Sequence, residues 1–261
     1  MFKNYFKVAL RNLGRNKVYA ALNITGLALG LATAVLLLLW AQDELSYDRF
    51  HRNAPSMYRV VAHFGTEGSR QTWENTQGPV ATYALKEVPG VQNAARVTRN
   101  YDMTLFTHGN NTFTESNNAY VDPAFFTLFD FGLVKGDPRK PFPDKHAVVL
   151  TESMARKYFG TGEPLGKVIQ VDRKDNFTVS GVVKDLPANS SIRFDFFFSM
   201  DLVKEKHYPP GSYWKNLDSD WGNYKLTSYL LLQPGTATEA VAAKLTNILR
   251  THHPNYKEGG T

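Results

Sequence analysis

Val18 to Ala41 reads VYAALNITGLALGLATAVLLLLWA, 24 residues with no Asp, Glu, Lys, Arg or His. A run of that length and composition has few fates. It is too long for a strand and too uniformly apolar for a helix with one wet face, so a membrane-spanning helix is expected. Eleven Leu, Ile and Val residues in it give about −5 kcal/mol for insertion. Tyr19 and Trp40 bracket it, roughly 31 Å apart along a helix, close to the ~30 Å of a hydrocarbon core. Both rings then serve as membrane-interface anchors. The alternative is a cleaved signal peptide. The run is long for one, and Leu39-Trp40-Ala41-Gln42 offers no Ala-x-Ala site.

Charge orients the span. Residues 1–17 carry Lys3, Lys7, Arg11, Arg15 and Lys17 and no acidic residue, whereas Asp43, Glu44 and Asp48 follow it. The positive-inside rule puts residues 1–17 in the cytoplasm and residues 42–261 outside. Phe2, Phe6, Leu10 and Leu13 fall on one side of a helix and Lys3, Lys7 and Arg11 on another. An amphipathic cytoplasmic helix on the inner lipid surface is therefore expected. The chain's net charge of +6 belongs to this tip, because residues 42–261 hold 25 basic against 24 acidic residues. That near-balance argues against a nucleic-acid-binding face.

Within the span, Gly26 and Gly30 form G-x-x-x-G, with Asn23 a turn before and Ala34 a turn after. Small residues on one stripe allow a second helix to approach closely, and Asn23 can hydrogen-bond across such a contact. Asn23, Gly26, Gly30 and Ala34 are the candidate helix-packing residues. A lone anchor that happens to contain glycines is the other reading.

Beyond residue 42 the patterning alternates between strand and helix. Tyr58 to Phe64 reads as a strand, Gly65 to Gly68 as a turn, and Pro79 as the start of a helix stopped by Pro89-Gly90. Ala95–Thr98 and Met103–Thr107 read as strands. Residues 101–200, approximately, are strand-rich. In this stretch Asp122-Pro123 reads as an N-cap and N1 pair for a helix over Ala124–Phe129, and Thr151 as the cap of a helix through Tyr158. Val148–Leu150 reads as a buried strand, and Val168–Val171 with Phe177–Val183 as a pair around the turn Arg173-Lys174-Asp175-Asn176. Phe194–Met200 is strongly aromatic. Lys204 to Tyr224 reads as an irregular loop and Leu226–Gln233 as a strand. A capping box at Thr236–Glu239 opens a final helix over Ala240–Leu249. The expected class is α+β: one transmembrane helix, then an exported βαβ domain carrying a strand-rich insert.

Candidate chemistry is sparse. There is no cysteine, which removes disulfides, thiolate metal sites and cysteine nucleophiles. Gly160 to Val168 lacks the first glycine and the hydroxyl of a phosphate loop. Asn216, Asp218 and Asp220 mimic a calcium loop, but Trp221 and Thr227 stand where Gly and Glu are needed. Asp218 and Asp220 read as solvated loop carboxylates. His252 and His253 are adjacent and point apart on a helix. No enzyme activity, cofactor or metal is expected.

Several segments together resemble the extracytoplasmic core domain of FtsX/MacB-like ABC transporter permeases. They are Asn23-Ile24-Thr25-Gly26-Leu27-Ala28-Leu29-Gly30, Tyr58-Arg59-Val60, Val121-Asp122-Pro123-Ala124-Phe125-Phe126 and Phe129-Asp130-Phe131. Val148 to Ala155, Lys157-Tyr158-Phe159-Gly160, Pro164-Leu165-Gly166-Lys167, Phe177 to Val183 and Asp185-Leu186-Pro187 continue the pattern in order. The resemblance implies a first membrane helix, a porter-like exported domain with an inserted strand-rich part, three further membrane helices, and a cytoplasmic ABC ATPase partner. It also implies a homo- or heterodimer of permeases. Nothing after residue 41 is apolar enough to span, so the chain is expected to be the N-terminal portion of such a permease. A single-span membrane-anchored ligand-binding or sensor protein is the alternative. The cargo is not encoded in any recognisable motif.

Overall fold

The computed structural model describes residues 2–64, 68–206, 208, 211, 213 and 215–253. The chain separates into two units, with the boundary between Asp48 and Arg49.

The first unit is helical. Helix α1 (Phe2–Arg15) is strongly amphipathic, as its four-residue basic spacing requires. The side chains of Phe2 and Leu10, expected on its apolar side, lie outside the described residues. Helix α2 (Lys17–Ser46) holds the apolar run and continues past it through Gln42–Ser46. Asn16, with φ −115° and ψ 56°, leaves helical geometry and separates the two.

The second unit is built on one sheet. Its elements in chain order begin with β1 (Met57–Arg59), β2 (Ala62–Phe64), β3 (Gln71–Trp73), β4 (Thr76–Gln77), α3 (Gly78–Glu87) and β5 (Val91–Asn100). Next come β6 (Thr104–His108), β7 (Asn111–Glu115), β8 (Asn118–Val121), α4 (Ala124–Leu128), β9 (Leu133–Gly136), β10 (Ala147–Thr151) and α5 (Glu152–Phe159). The chain continues through β11 (Val168–Val171), β12 (Asp175–Val183), β13 (Phe196–Ser199), α6 (Asp201–Lys206), β14 (Tyr224–Leu232) and α7 (Thr238–His252). The main path of the sheet is β1-β14-β5-β8-β13-β10-β12-β11-β6-β7, with β4 added on β14 and β9 on β12. Strand β5 joins the two halves: it pairs antiparallel with β14 on one side and with β8 on the other. The strand-rich middle of the chain thus continues the sheet begun by β1, β14 and β5.

Burial explains the strand choices. All four residues of β13 are buried, and all five of β10. Phe197 joins a cluster with Phe125, Phe126 and Val149, while Phe196 and Phe198 join Phe106, Val148 and Leu150 in another. Period-two geometry sends alternate side chains to opposite faces, so both faces of the sheet centre are covered. A third cluster lies under α3 and α7, where Val80, Ala84, Val241 and Ile248 meet Leu230 and Leu232 of β14.

Several local expectations need correction. The strand expected over Tyr58–Phe64 breaks in two: β1 joins the main sheet, whereas β2 pairs only with β3. Residues 65–67 of the expected turn lie outside the described residues. The β11–β12 turn falls at Asp172–Lys174, where Asp172 and Arg173 adopt φ of 51° and 57°, so Asp175 and Asn176 belong to β12. Part of the loop expected over Lys204–Tyr224 is helical, as the end of α6 and as a 3-10 turn at Leu217–Ser219. Residues 207, 209, 210, 212 and 214 of that loop lie outside the described residues. The capping box at Thr236–Glu239 does not form: Ala237 holds the cap position of α7 without a side-chain bond. The Thr151 cap does form, with its hydroxyl accepting from Met154 N at 3.4 Å.

Candidate functional site

In the first unit, Asn23, Gly26, Gly30 and Ala34 are spaced by three, four and four residues on α2, which brings them onto one face. All four are exposed. A Cβ built on Gly26 or Gly30 would meet nothing within 4 Å. Helix α2 is 30 residues long, about 45 Å, and is the one helix among the described residues that is long and apolar enough to cross a membrane. None of its residues is buried. The Thr33 hydroxyl donates to Leu29 O at 2.9 Å, which satisfies it without water. Tyr19 and Trp40 are both exposed near the ends of the apolar run. Lys3, Lys7, Arg11 and Arg15 lie along α1 and Lys17 opens α2, all exposed.

In the second unit the main polar feature is a buried ion network centred on Arg96. This residue sits in β5 between Ala95 and Val97 and is 4% exposed. Its Nε and Nη2 donate to Asp122 Oδ2 and Oδ1 at 2.8 and 3.0 Å. Its Nη1 donates to Gly78 O at 3.0 Å and to Asp218 Oδ1 at 2.5 Å. Asp218 also meets Lys204 Nζ at 3.4 Å, and Lys204 reaches Asp201 at 3.0 Å. One guanidinium thus ties β5 to the start of α3, the β8–α4 junction and the Leu217–Ser219 turn. Gly78 belongs to the same joint, because a Cβ there would lie 2.0 Å from Leu217 O.

Two sequence-based expectations fail here. Asp122 was expected to cap α4, but Pro123 holds the cap position without a side-chain bond and the Asp122 carboxylate goes to Arg96. A fork of guanidinium donors outweighs a single helix N–H. Asp218 and Asp220 were expected to be solvated. Asp218 instead joins the network, and Asp220, 4% exposed, accepts the Tyr208 hydroxyl at 2.7 Å. Burial works against charge on Arg96, but Asp122 and Asp218 outweigh it and push its pKa up. Burial would raise Asp218, yet Arg96 and Lys204 hold its carboxyl below the usual range. An arginine inside the apolar run Ala94-Ala95-Arg96-Val97 was the available signal, since a buried charge demands partners.

A second polar joint holds α5. Asp185 accepts Ser153 N at 2.8 Å and Ser153 Oγ at 2.6 Å, and pairs with Arg156 Nη2 at 2.9 Å. The Asp185-Leu186-Pro187 segment thereby satisfies the first turn of the helix. At the other end of the helix, Tyr158 Oη and Lys157 Nζ both donate to Glu115 Oε1, at 2.9 and 2.7 Å. These ion pairs bind elements to one another. Among the described residues no group of three His, Asp or Glu is arranged to hold a metal ion.

The fold has relatives among solved structures. A domain of a protein assigned as a permease in Porphyromonas gingivalis matches at 26% identity with TM-score 0.66, over 78% of this chain and 84% of that one. The periplasmic region of MacB from Actinobacillus actinomycetemcomitans matches at 20% identity with TM-score 0.52, over 75% and 83%. The extracellular domain of the noncanonic ABC-type transporter YknZ from Gram-positive bacteria matches at 13% identity with TM-score 0.51, over 76% and 94%. No curated protein matches. The family model for the MacB-like periplasmic core domain matches residues 20–248, a stretch that contains the small-residue stripe of α2, the Arg96 joint, α3 and most of α7. By that match the chain belongs to the MacB-like periplasmic core domain family.

Proposed function

We propose that this chain is the N-terminal portion of an ABC transporter permease subunit. It carries ATPase-driven movement across the membrane to an exported domain, for efflux or translocation. The observation that carries this reading is the family match over residues 20–248, which includes the apolar helix as well as the sheet domain. The fold it shares with a domain of the Porphyromonas gingivalis protein and with the periplasmic region of MacB supports it. In this reading α1 lies on the cytoplasmic lipid surface through Lys3, Lys7, Arg11, Arg15 and Lys17, and Tyr19 and Trp40 mark the two interfaces. The partners are a cytoplasmic ABC ATPase and a second permease protomer, which α2 meets along Asn23, Gly26, Gly30 and Ala34. The sheet domain performs no chemistry of its own and needs no cofactor. Its ion pairs keep it stiff enough to be moved as a body.

Orientation has a direct test. Alkaline phosphatase fused after residue 261 should be active and a cytoplasmic reporter at the same point inactive. The reverse pattern would overturn the N-inside assignment.

Movement can be read because the chain has no cysteine. A single Lys244→Cys substitution, on the exposed side of α7, gives one spin-label site within residues 1–261 of each protomer, once any cysteine in the rest of the permease has been replaced. With its ATPase bound, adding ATP should shift the label-to-label distance by several ångströms. An unchanged distance distribution under turnover would remove mechanical transmission as the function.

A further inference from the structure

Strand β1 closes one end of the main sheet. Among the described residues it pairs with β14 on one side and with no strand on the other. Its register shows which backbone groups face the open side. Tyr58 stands opposite Leu230, and two residues on Val60 N donates to Ser228 O at 2.9 Å. In an antiparallel ladder every second residue bonds the neighbouring strand. Tyr58 and Val60 therefore turn their N–H and C=O groups to β14, while Arg59 turns its pair outward and Val61 follows. Both Arg59 and Val61 are exposed. The opposite end of the sheet is β7, a polar strand reading NTFTE, the usual protection of an edge. Here the edge leads instead into Val60-Val61-Ala62.

Helix α7 stands across from this edge. A groove of about 550 Å³ lies between it and the segment Tyr58–Phe64. Thr238, Val241, Ala242, Leu245 and Leu249 line it from one face of the helix, and Val80 and Leu232 are buried beneath. From Thr238 to Leu249 that face is about 17 Å long, the span of roughly five residues of extended chain. An open strand edge beside an apolar groove is a setting in which an extended peptide is taken in as an added strand.

Two observations choose the occupant. An acyl chain could cover the apolar floor, but it would strip water from the outward groups of Arg59 and Val61 and return no hydrogen bond. A peptide backbone supplies both donor and acceptor. Charge is the second guide. Arg59, His63, Arg70 and Arg250 line the groove, and no acidic side chain does so among the described residues. Arg59 is paired with Glu74 at 3.1 Å, while Arg70 and Arg250 are exposed and leave the rim positive. Two copies of the chain joined at this edge would set these cations against one another, so self-pairing is disfavoured.

We propose that this groove receives an extended acidic peptide from a partner protein, added to the sheet along Arg59 and Val61, with every second side chain apolar and resting on α7. The surface belongs to the sheet domain and does not depend on the transport reading.

The test uses the whole chain in lipid nanodiscs and a fluorescein-labelled nine-residue peptide of alternating glutamate and valine. Its anisotropy should saturate at micromolar concentrations. N-methylation moved one residue at a time along the peptide should weaken binding at least fivefold at alternate positions and less than twofold between them, because only one edge of an added strand pairs. A peptide with lysine in place of glutamate should bind at least tenfold more weakly, and Arg70→Gln with Arg250→Gln should erase that difference. Leu245→Trp, which fills the groove at a half-buried position, should abolish binding. No saturation at millimolar peptide, a uniform response to N-methylation, or equal binding of the lysine peptide would overturn the proposal. Displacement by dodecanoate as effective as by unlabelled peptide would give the groove to a lipid chain and overturn it too. So would Val61→Cys chains that cross-link to each other while failing to bind the peptide, the mark of an edge used between copies.

Discussion

Replacing Arg96 by methionine is expected to bring the sheet domain to the edge of unfolding. The substitution keeps most of the buried side-chain volume but strips Asp122 of both guanidinium bonds and Asp218 of its short one. Removing one partner of a buried ion pair typically costs about 3–5 kcal/mol, against a total of roughly 5–15 kcal/mol for a domain. Urea unfolding followed by the fluorescence of Trp221, itself 4% exposed, should show the midpoint falling by about half with little change in slope. Adding Asp122→Asn and Asp218→Asn to Arg96→Met should recover much of the loss, because the stranded charges go with it.

The same network sets a pH profile. The Asp218 carboxyl is held below its ordinary range. It therefore contributes stability above the ordinary carboxylate pKa and loses it as pH falls through the lowered folded value. Lys204 has a raised pKa, so its contribution is complete below the ordinary lysine pKa and fades as pH rises through the raised one. Arg96→Met should weaken the acid-side dependence. A wild-type midpoint and an unchanged acid arm in that variant would show that the ion network is incidental to the domain's strength.

If α2 packs in the permease as proposed, changing Gly26 and Gly30 together to leucine is expected to uncouple the full-length protein without preventing insertion. Leucine favours the bilayer, so the helix should still span. The two new side chains would hold a neighbouring backbone away from the stripe. Helix packing in lipid rests on dispersion and on hydrogen bonds worth roughly 0.6–2 kcal/mol each, so a lost close face is not replaced by a hydrophobic gain. The expected result is normal membrane abundance, loss of the permease dimer in cross-linking, and loss of substrate-stimulated ATP hydrolysis. Wild-type assembly and stimulation would reduce α2 to an anchor.

The long apolar helix was legible because its signal is one-dimensional: length and lack of charge read directly from residues 17–46. The same holds for β10 and the Thr151 cap, where local chemistry and final environment agree. The Arg96 joint was not legible in detail. Its members are separated by 26 residues on one side and 122 on the other, and no periodicity connects them. Asp122-Pro123 carried an ordinary capping pattern, and only the arrival of Arg96 from the next strand diverts the carboxylate. Strand β7 (NTFTE) was missed because it is polar and mostly exposed, held by pairing with β6 rather than by burial.

The strand order also dictates when the domain can finish folding. Strand β14, the last in chain order among the described residues, lies between β1 and β5, which are made long before it. Residue 57 pairs with residue 231, so closure of this edge waits for nearly the whole domain to emerge. Until then β5 presents one side of a ten-residue strand with open hydrogen-bonding groups, a template for pairing with the wrong chain. Contacts between residues this distant in sequence also form slowly. If the domain is exported as proposed, it must cross the membrane before its sheet can close. Chains halted before Tyr224 would then reach the far side as sticky, half-built sheets, the natural prey of a quality-control protease.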